Sequence, residues 1–121
     1  MKIIRVKMKC DAISDLDYAT FGKDLHKEFE AVFGKPARFF KQATAKYMNF
    51  GTSANLNDFE EPRISVYAER KGKTKIYLRV AVVTGAPGKT KALYQKEMTS
   101  SDAADLLQNA KQFLRQAKAK M

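Results

Sequence analysis

Arg63-Ile64-Ser65-Val66-Tyr67-Ala68-Glu69-Arg70-Lys71-Gly72-Lys73-Thr74-Lys75-Ile76-Tyr77-Leu78-Arg79-Val80-Ala81-Val82-Val83 decides the fold. Ile64, Val66 and Ala68 alternate with Arg63, Ser65, Tyr67 and Glu69, the period of a half-buried strand. After a four-residue break the alternation resumes, with Ile76, Leu78, Val80 and Val82 against Lys75, Tyr77, Arg79 and Ala81. Gly72 supplies the backbone angle that a tight turn requires, so Lys71-Gly72-Lys73-Thr74 reads as the turn of a β-hairpin. One face of that hairpin is apolar and packs on a core. The other is charged and aromatic and faces water.

Upstream, Gly51 to Pro62 is a polar loop of roughly a dozen residues, long enough inside a small domain to suggest a functional or mobile role. Residues 37–50 (Ala-Arg-Phe-Phe-Lys-Gln-Ala-Thr-Ala-Lys-Tyr-Met-Asn-Phe) favour strand through their aromatics and threonine. Their alternation is broken, which leaves one long bent strand or two short ones. Before them, Leu16, Tyr18, Phe21, Leu25, Phe29, Val32 and Phe33 recur at steps of mainly three and four, a helical stripe. Ser14 with Asp17 forms a capping-box variant at its start, and Gly34 followed by Pro36 stops it. Residues 2–9 alternate Ile4, Val6 and Met8 with Ile3, Arg5, Lys7 and Lys9, a further predicted strand.

Downstream, Gly85-Ala86-Pro87-Gly88 is a turn, and residues 89–98 are a strand or the start of a helix. Thr99 or Ser100 is the expected cap of a C-terminal helix with Asp102 and Asp105 in its first turn. Its stripe is Ala103, Leu106, Leu107, Ala110, Phe113, Leu114 and Ala117. The expected order is β-α-β-β-β-β-α: an α+β fold, one mixed or antiparallel sheet of four to five strands with two amphipathic helices on one face. Direct pairing of the first two strands would make them parallel, with a right-handed crossover.

At 121 residues the chain is expected to form a single domain, 1–121, and no repeat or linker divides it. An apolar fraction of 45% is ordinary for a globular protein. No apolar run approaches the roughly 18 residues of a membrane span. The start lacks the apolar block of a signal peptide, so the expected location is cytoplasmic, or nuclear within a host cell, not secreted. One cysteine, Cys10, forms no internal disulfide, and one histidine, His26, leaves no metal or nucleophilic constellation. Asp58, Glu60 and Glu61 read as a solvated loop. No metal, no cofactor and no enzymatic activity are expected.

What remains is charge. Lys+Arg number 23 and Asp+Glu 13, a formal net charge of +10. Residues 61–121 carry +8 of it, which points to a basic face and an anionic partner. On the predicted outer sheet face Arg5, Lys7, Lys9, Arg63, Lys75 and Arg79 join Tyr67 and Tyr77, opposed by Glu69. Cations neutralise phosphates, and tyrosine rings stack on unpaired bases. Lys73 in the turn and Lys89 and Lys91 at the rim extend the candidate nucleic-acid-binding set. The alternative is the ordinary solvent face of a half-buried sheet, where Lys is common and Tyr supports cross-strand pairs.

Gly88-Lys89-Thr90 after a strand has the ending of a phosphate-binding loop, but that loop needs Gly at position 83, which is Val83. A hairpin turn is the expectation there. Phe39, Phe40, Tyr47, Met48 and Phe50 exceed what two helices obviously cover, which predicts a homodimer. The functional expectation is a small non-enzymatic binder of single-stranded or structured RNA or DNA. The alternative is a protein-interaction module or inhibitor, of the viral or mobile-element kind, that docks its basic face on an acidic surface of a larger enzyme.

Overall fold

A computed structural model describes residues 12–121 of the chain. The strand predicted over residues 2–9, with Arg5, Lys7 and Lys9, lies outside the described residues, as does Cys10. The order is α1 (Asp15–Phe33), β1 (Phe39–Ala43), β2 (Tyr47–Thr52), β3 (Arg63–Lys71), β4 (Lys75–Thr84), β5 (Lys91–Ser100) and α2 (Ala103–Ala119). The five strands form one sheet in the order β1-β2-β3-β4-β5, and every neighbouring pair is antiparallel. The fold is therefore α+β, as the alternation predicts. Residues 37–50 resolve into two strands because Thr44 turns the chain. Its Oγ1 accepts from the N–H groups of Lys46 and Tyr47, each at 3.1 Å, so the backbone reverses over Thr44-Ala45-Lys46. Residues 91–100 settle as strand.

Register sets the two faces. Ile64↔Val82, Val66↔Val80 and Ala68↔Leu78 pair across the central hairpin, and all six are buried beneath the helices. β2 adds Phe50 and Met48 to this side, opposite Val66 and Ala68. From above come Phe21, Leu25 and Phe29 of α1 and Leu106, Ala110, Leu114 and Ala117 of α2, in one continuous core. Gly51 is required where it stands. Its φ is +150°, and a Cβ there would lie under 3 Å from the Ile64 carbonyl oxygen of the neighbouring strand.

Helix starts follow the sequence at one end and correct it at the other. The Ser14 side chain accepts from the Asp17 N–H at 3.0 Å, and Gly34 at φ +70° ends α1. Thr99 and Ser100 do not cap α2, because β5 continues through Ser100. Asp102 is the cap, accepting from Ala104 and Asp105. Leu16 leaves the predicted stripe: it is 74% exposed, on the side of the first turn turned away from the sheet.

Tyr18 links the α1 start to the sheet through a hydroxyl that donates to the Ala68 carbonyl at 3.1 Å. Burial pushes its phenol up from 10.0 to about 12, although the Arg70 guanidinium nearby acts to lower it. The folded protein therefore resists an ionisation that the unfolded chain accepts near 10. The stability this phenol contributes is complete below pH 10 and is lost as the pH climbs toward 12. Tyr18→Phe is expected to cost about 1 kcal/mol at neutral pH. It should also flatten the fall in stability between pH 10 and 12, read by urea unfolding at each pH. An unchanged alkaline fall in the variant refutes the assignment.

Candidate nucleic-acid interface

Among the described residues no helix covers the second sheet face. Two rows cross it. Tyr47, Glu69, Tyr77 and Thr99 are successive register partners, and so are Asn49, Tyr67, Arg79 and Glu97. The rows are two residues apart along each strand, about 6.8 Å. Three tyrosines from three adjacent strands thus meet at the boundary between the rows. The Tyr47 and Tyr67 rings are stacked with centroids 6.2 Å apart, and Tyr67 meets Tyr77 edge-on at 6.2 Å. The Arg79 guanidinium lies over the Tyr67 ring at 5.1 Å, and the Lys71 ammonium over Tyr77 at 5.6 Å. All three tyrosines are half-buried, held by one another and still open on one side.

Two of the three hydroxyls are already engaged. Tyr67 donates to Glu69 Oε1 at 2.7 Å and Tyr77 to Glu97 Oε2 at 3.1 Å. The bond to Glu69 holds the Tyr67 phenol above its ordinary range, and the same bond holds the Glu69 carboxyl below its own. Burial, then the bond to Glu97, raises Tyr77. The Tyr67 and Tyr77 rings are therefore fixed in orientation and stay neutral at physiological pH. They offer flat surface and not hydrogen-bond donors, which suits stacking on bases of any identity.

The predicted site residues fall into separate places. Tyr67, Tyr77, Arg79 and Lys75 come together on this face, with Lys73 exposed in the turn at one end. Lys89 and Lys91 stand at the other end of β4, whose ten residues extend about 33 Å. Lys91 pairs with Thr84 on the helix side of the sheet, so both are rim positions. The turn beside them is tied down twice: the Gly85 N–H donates to the Phe59 carbonyl of the loop after β2 at 2.7 Å, and within the turn the Lys89 N–H donates to the Ala86 carbonyl at 2.8 Å.

Arg63 is a correction. Alternation sends it to the outer face, but its side chain is buried and donates to the Phe59 and Gly85 carbonyls at 3.3 and 2.8 Å. The loop after β2 folds against the end of the hairpin and encloses it. Tyr47, Asn49 and Lys71 are functional candidates that pattern reading missed. With residues 37–50 unresolved between one strand and two, the face of Tyr47 had no sign. Thr44, placed to bond the two amides after the next residue, was the available signal.

The apolar stretch that suggested a dimer is mostly accounted for. Met48 and Phe50 are buried, and Phe39 packs against the core, its ring stacked on His26 at 5.2 Å. Phe40 and Tyr47 remain on the outer face. Among the described residues no three His, Cys, Asp or Glu side chains are grouped to hold a metal ion, and no helix is long and apolar enough to cross a membrane. No family model matches the chain, and no curated protein and no solved structure is significantly similar to it.

Proposed function

We propose that the chain is a non-enzymatic nucleic-acid-binding protein that lays unpaired bases of RNA or DNA across the open face of its sheet. The array of Tyr47, Tyr67 and Tyr77, with Arg79 over the central ring, carries this reading. Bases stack on the rings. Lys71, Lys73, Lys75 and Arg79 meet phosphates at one end of the array. Glu69 and Glu97 balance part of that charge and fix the rings. With about four phosphate contacts, affinity for a short single strand should fall roughly fiftyfold between 50 and 200 mM salt.

Substitution should separate the two kinds of residue. Tyr67→Ala or Tyr77→Ala is expected to cost roughly 1–3 kcal/mol with single strands and much less with duplex, since only unpaired bases stack. Lys75→Ala should weaken all nucleic acids alike and reduce the salt slope by about 0.7. Arg79→Ala should do both, because its guanidinium lies on the Tyr67 ring. Fluorescence anisotropy with a labelled ten-nucleotide strand and its duplex reads all four. A flat salt response, or equal losses with strand and duplex, refutes the platform.

One observation favours docking on an acidic protein surface as the second reading. Lys73, Lys75, Lys89 and Lys91 have no carboxylate partner among the described residues and stand toward the two ends of a sheet whose open face is nearly charge-balanced at its centre. Such a partner would be insensitive to the loss of stacking and sensitive to lysine reversal. If the protein dimerises, Phe40 and Tyr47 are the apolar side chains left to do it; a monomer by light scattering at high concentration removes that assembly.

A further inference from the structure

Among the described residues β1 is an edge strand, and its bonds to β2 fix which backbone groups point away from the sheet. Thr44 N–H donates to the Tyr47 carbonyl, and the Arg38 carbonyl accepts from Ser53 N–H. Backbone groups alternate in direction along a strand, so Arg38, Gln42, Phe40 and Thr44 bond toward β2. Phe39, Lys41 and Ala43 therefore direct their N–H and C=O groups away from β2, where no strand among the described residues pairs with them; the Phe39 N–H already donates to the Pro36 carbonyl at 3.3 Å, which leaves Lys41 and Ala43 with both groups open.

On the helix side of that edge, between β1 and α1, lies a slot of about 360 Å³. Tyr18, Ala19, Gly22, Ala43 and Met48 give it an apolar lining. Gly22 makes the floor possible: a Cβ there would stand 2.5 Å from the Met48 methyl, so the missing side chain is what lets Met48 lie beneath the helix. Lys23 and Lys41 stand at the rim, and neither has a carboxylate partner among the described residues. Asp15, at one end, is engaged by Arg70 at 2.6 Å.

We propose that the β1 edge takes up an extended, acidic peptide segment of a partner protein as an added strand. This interaction is separate from nucleic-acid binding and lies at the edge of the sheet instead of on its open face. The backbone of Lys41 and Ala43, with the Phe39 carbonyl, supplies the ladder bonds. An apolar side chain opposite Ala43 enters the slot. Two residues along, about 6.8 Å away, a side chain on the same face lies opposite Lys41, where a carboxylate completes an opposite-charge cross-strand pair. An antiparallel segment therefore reads apolar, any, acidic. A second copy fits the edge less well, because a two-fold pairing of β1 centred on Lys41 sets that lysine against itself.

The probe is a capped seven-residue peptide, Thr-Val-Thr-Leu-Thr-Glu-Thr, with versions carrying Gln or Lys for Glu, and an isomer that places Glu next to Leu. Binding is read by anisotropy and by amide hydrogen exchange on the full chain. The Glu peptide is expected to bind about tenfold more tightly than the Lys version and than its own isomer, which has the same charge but directs it to the other face. Lys41→Glu should reverse the preference between the Glu and Lys peptides. Ala19→Leu, a change at an exposed helical position, should fill the slot and reduce binding about tenfold or more. Exchange should slow at Lys41 and Ala43. Equal binding of the two isomers, no binding of any peptide, or binding without that protection overturns the proposal. So does protection before peptide is added: independent of concentration it means the chain's own first eleven residues occupy the edge, and rising with concentration it means a second copy does.

Discussion

Phe50→Ala is expected to lower the unfolding free energy by about 3–5 kcal/mol, and Phe40→Ala by less than about 1 kcal/mol. The two phenylalanines belong to adjacent strands and differ in face. Phe50 has no exposed surface, and its ring meets Phe29 edge-on at 5.4 Å, Phe39 at 6.3 Å and His26 at 5.5 Å. Those neighbours come from α1 and β1, whose positions are set by ladder bonds and by the helix packing on both sides of the gap. They cannot collapse into the space that a truncated Phe50 leaves, so the cavity cost adds to the lost transfer energy. Phe40 sits opposite Gly51 on the outer face and is half-exposed, so its truncation opens no cavity. Urea midpoints with unchanged slopes measure both. Comparable losses from the two variants would mean that the faces of β1 and β2 are assigned the wrong way round.

The hairpin from Arg63 to Val83 was legible because both its strands bury mainly one face, with Arg63 and Ala81 the buried exceptions on the other, and period two then has a single solution. The helices were legible for the same reason at period 3.6, with Ser14 and Gly34 marking the ends of the first. Legibility failed where a contact distant in sequence decides a residue's environment. Leu16 is a different failure: counted in the stripe, it stands half a turn round the helix from Leu25 and faces away from the sheet. Thr99 and Ser100 are good caps in isolation, yet β4 pairs with them and holds them in strand, so the next eligible side chain, Asp102, takes the role. The candidate site divides likewise. Tyr67, Tyr77 and Arg79 were placed by alternation. Tyr47 joins them only through the β2–β3 register, and the carboxylates that anchor the rings come from β3 and β5. The charge excess was visible at once, but composition does not say that Lys89 and Lys91 lie at the opposite end of β4 from Lys73.

Arg63→Ala is expected to cost about 3 kcal/mol of stability and to leave the salt dependence of nucleic-acid binding unchanged in the folded protein. Its position in an alternating strand marks Arg63 as a surface cation, whereas its surroundings make it a structural one. Its guanidinium donates to the Gly85 carbonyl in the turn after β4 and to the Phe59 carbonyl in the loop after β2. The same Phe59 carbonyl accepts the Gly85 N–H, and the Thr84 hydroxyl donates to Glu60 beside it at 2.6 Å. Loop and turn are thus bound to each other through one buried cation, and hydrogen bonds from a charged donor are worth roughly 1.5–3 kcal/mol each. Alanine removes both and leaves the Gly85 oxygen without that donor. Lysine keeps the charge but not the planar fork, so Arg63→Lys should recover only part of the loss. Arg79→Ala supplies the opposite pattern, with small effects on unfolding and a weaker, less salt-dependent complex. Thermal unfolding with anisotropy titrations at several salt concentrations, below the melting range of each variant, separates the two arginines. If Arg63→Ala leaves unfolding untouched and instead reduces the salt slope by about 0.7, the side chain contacts phosphate, and the loop after β2 does not enclose it.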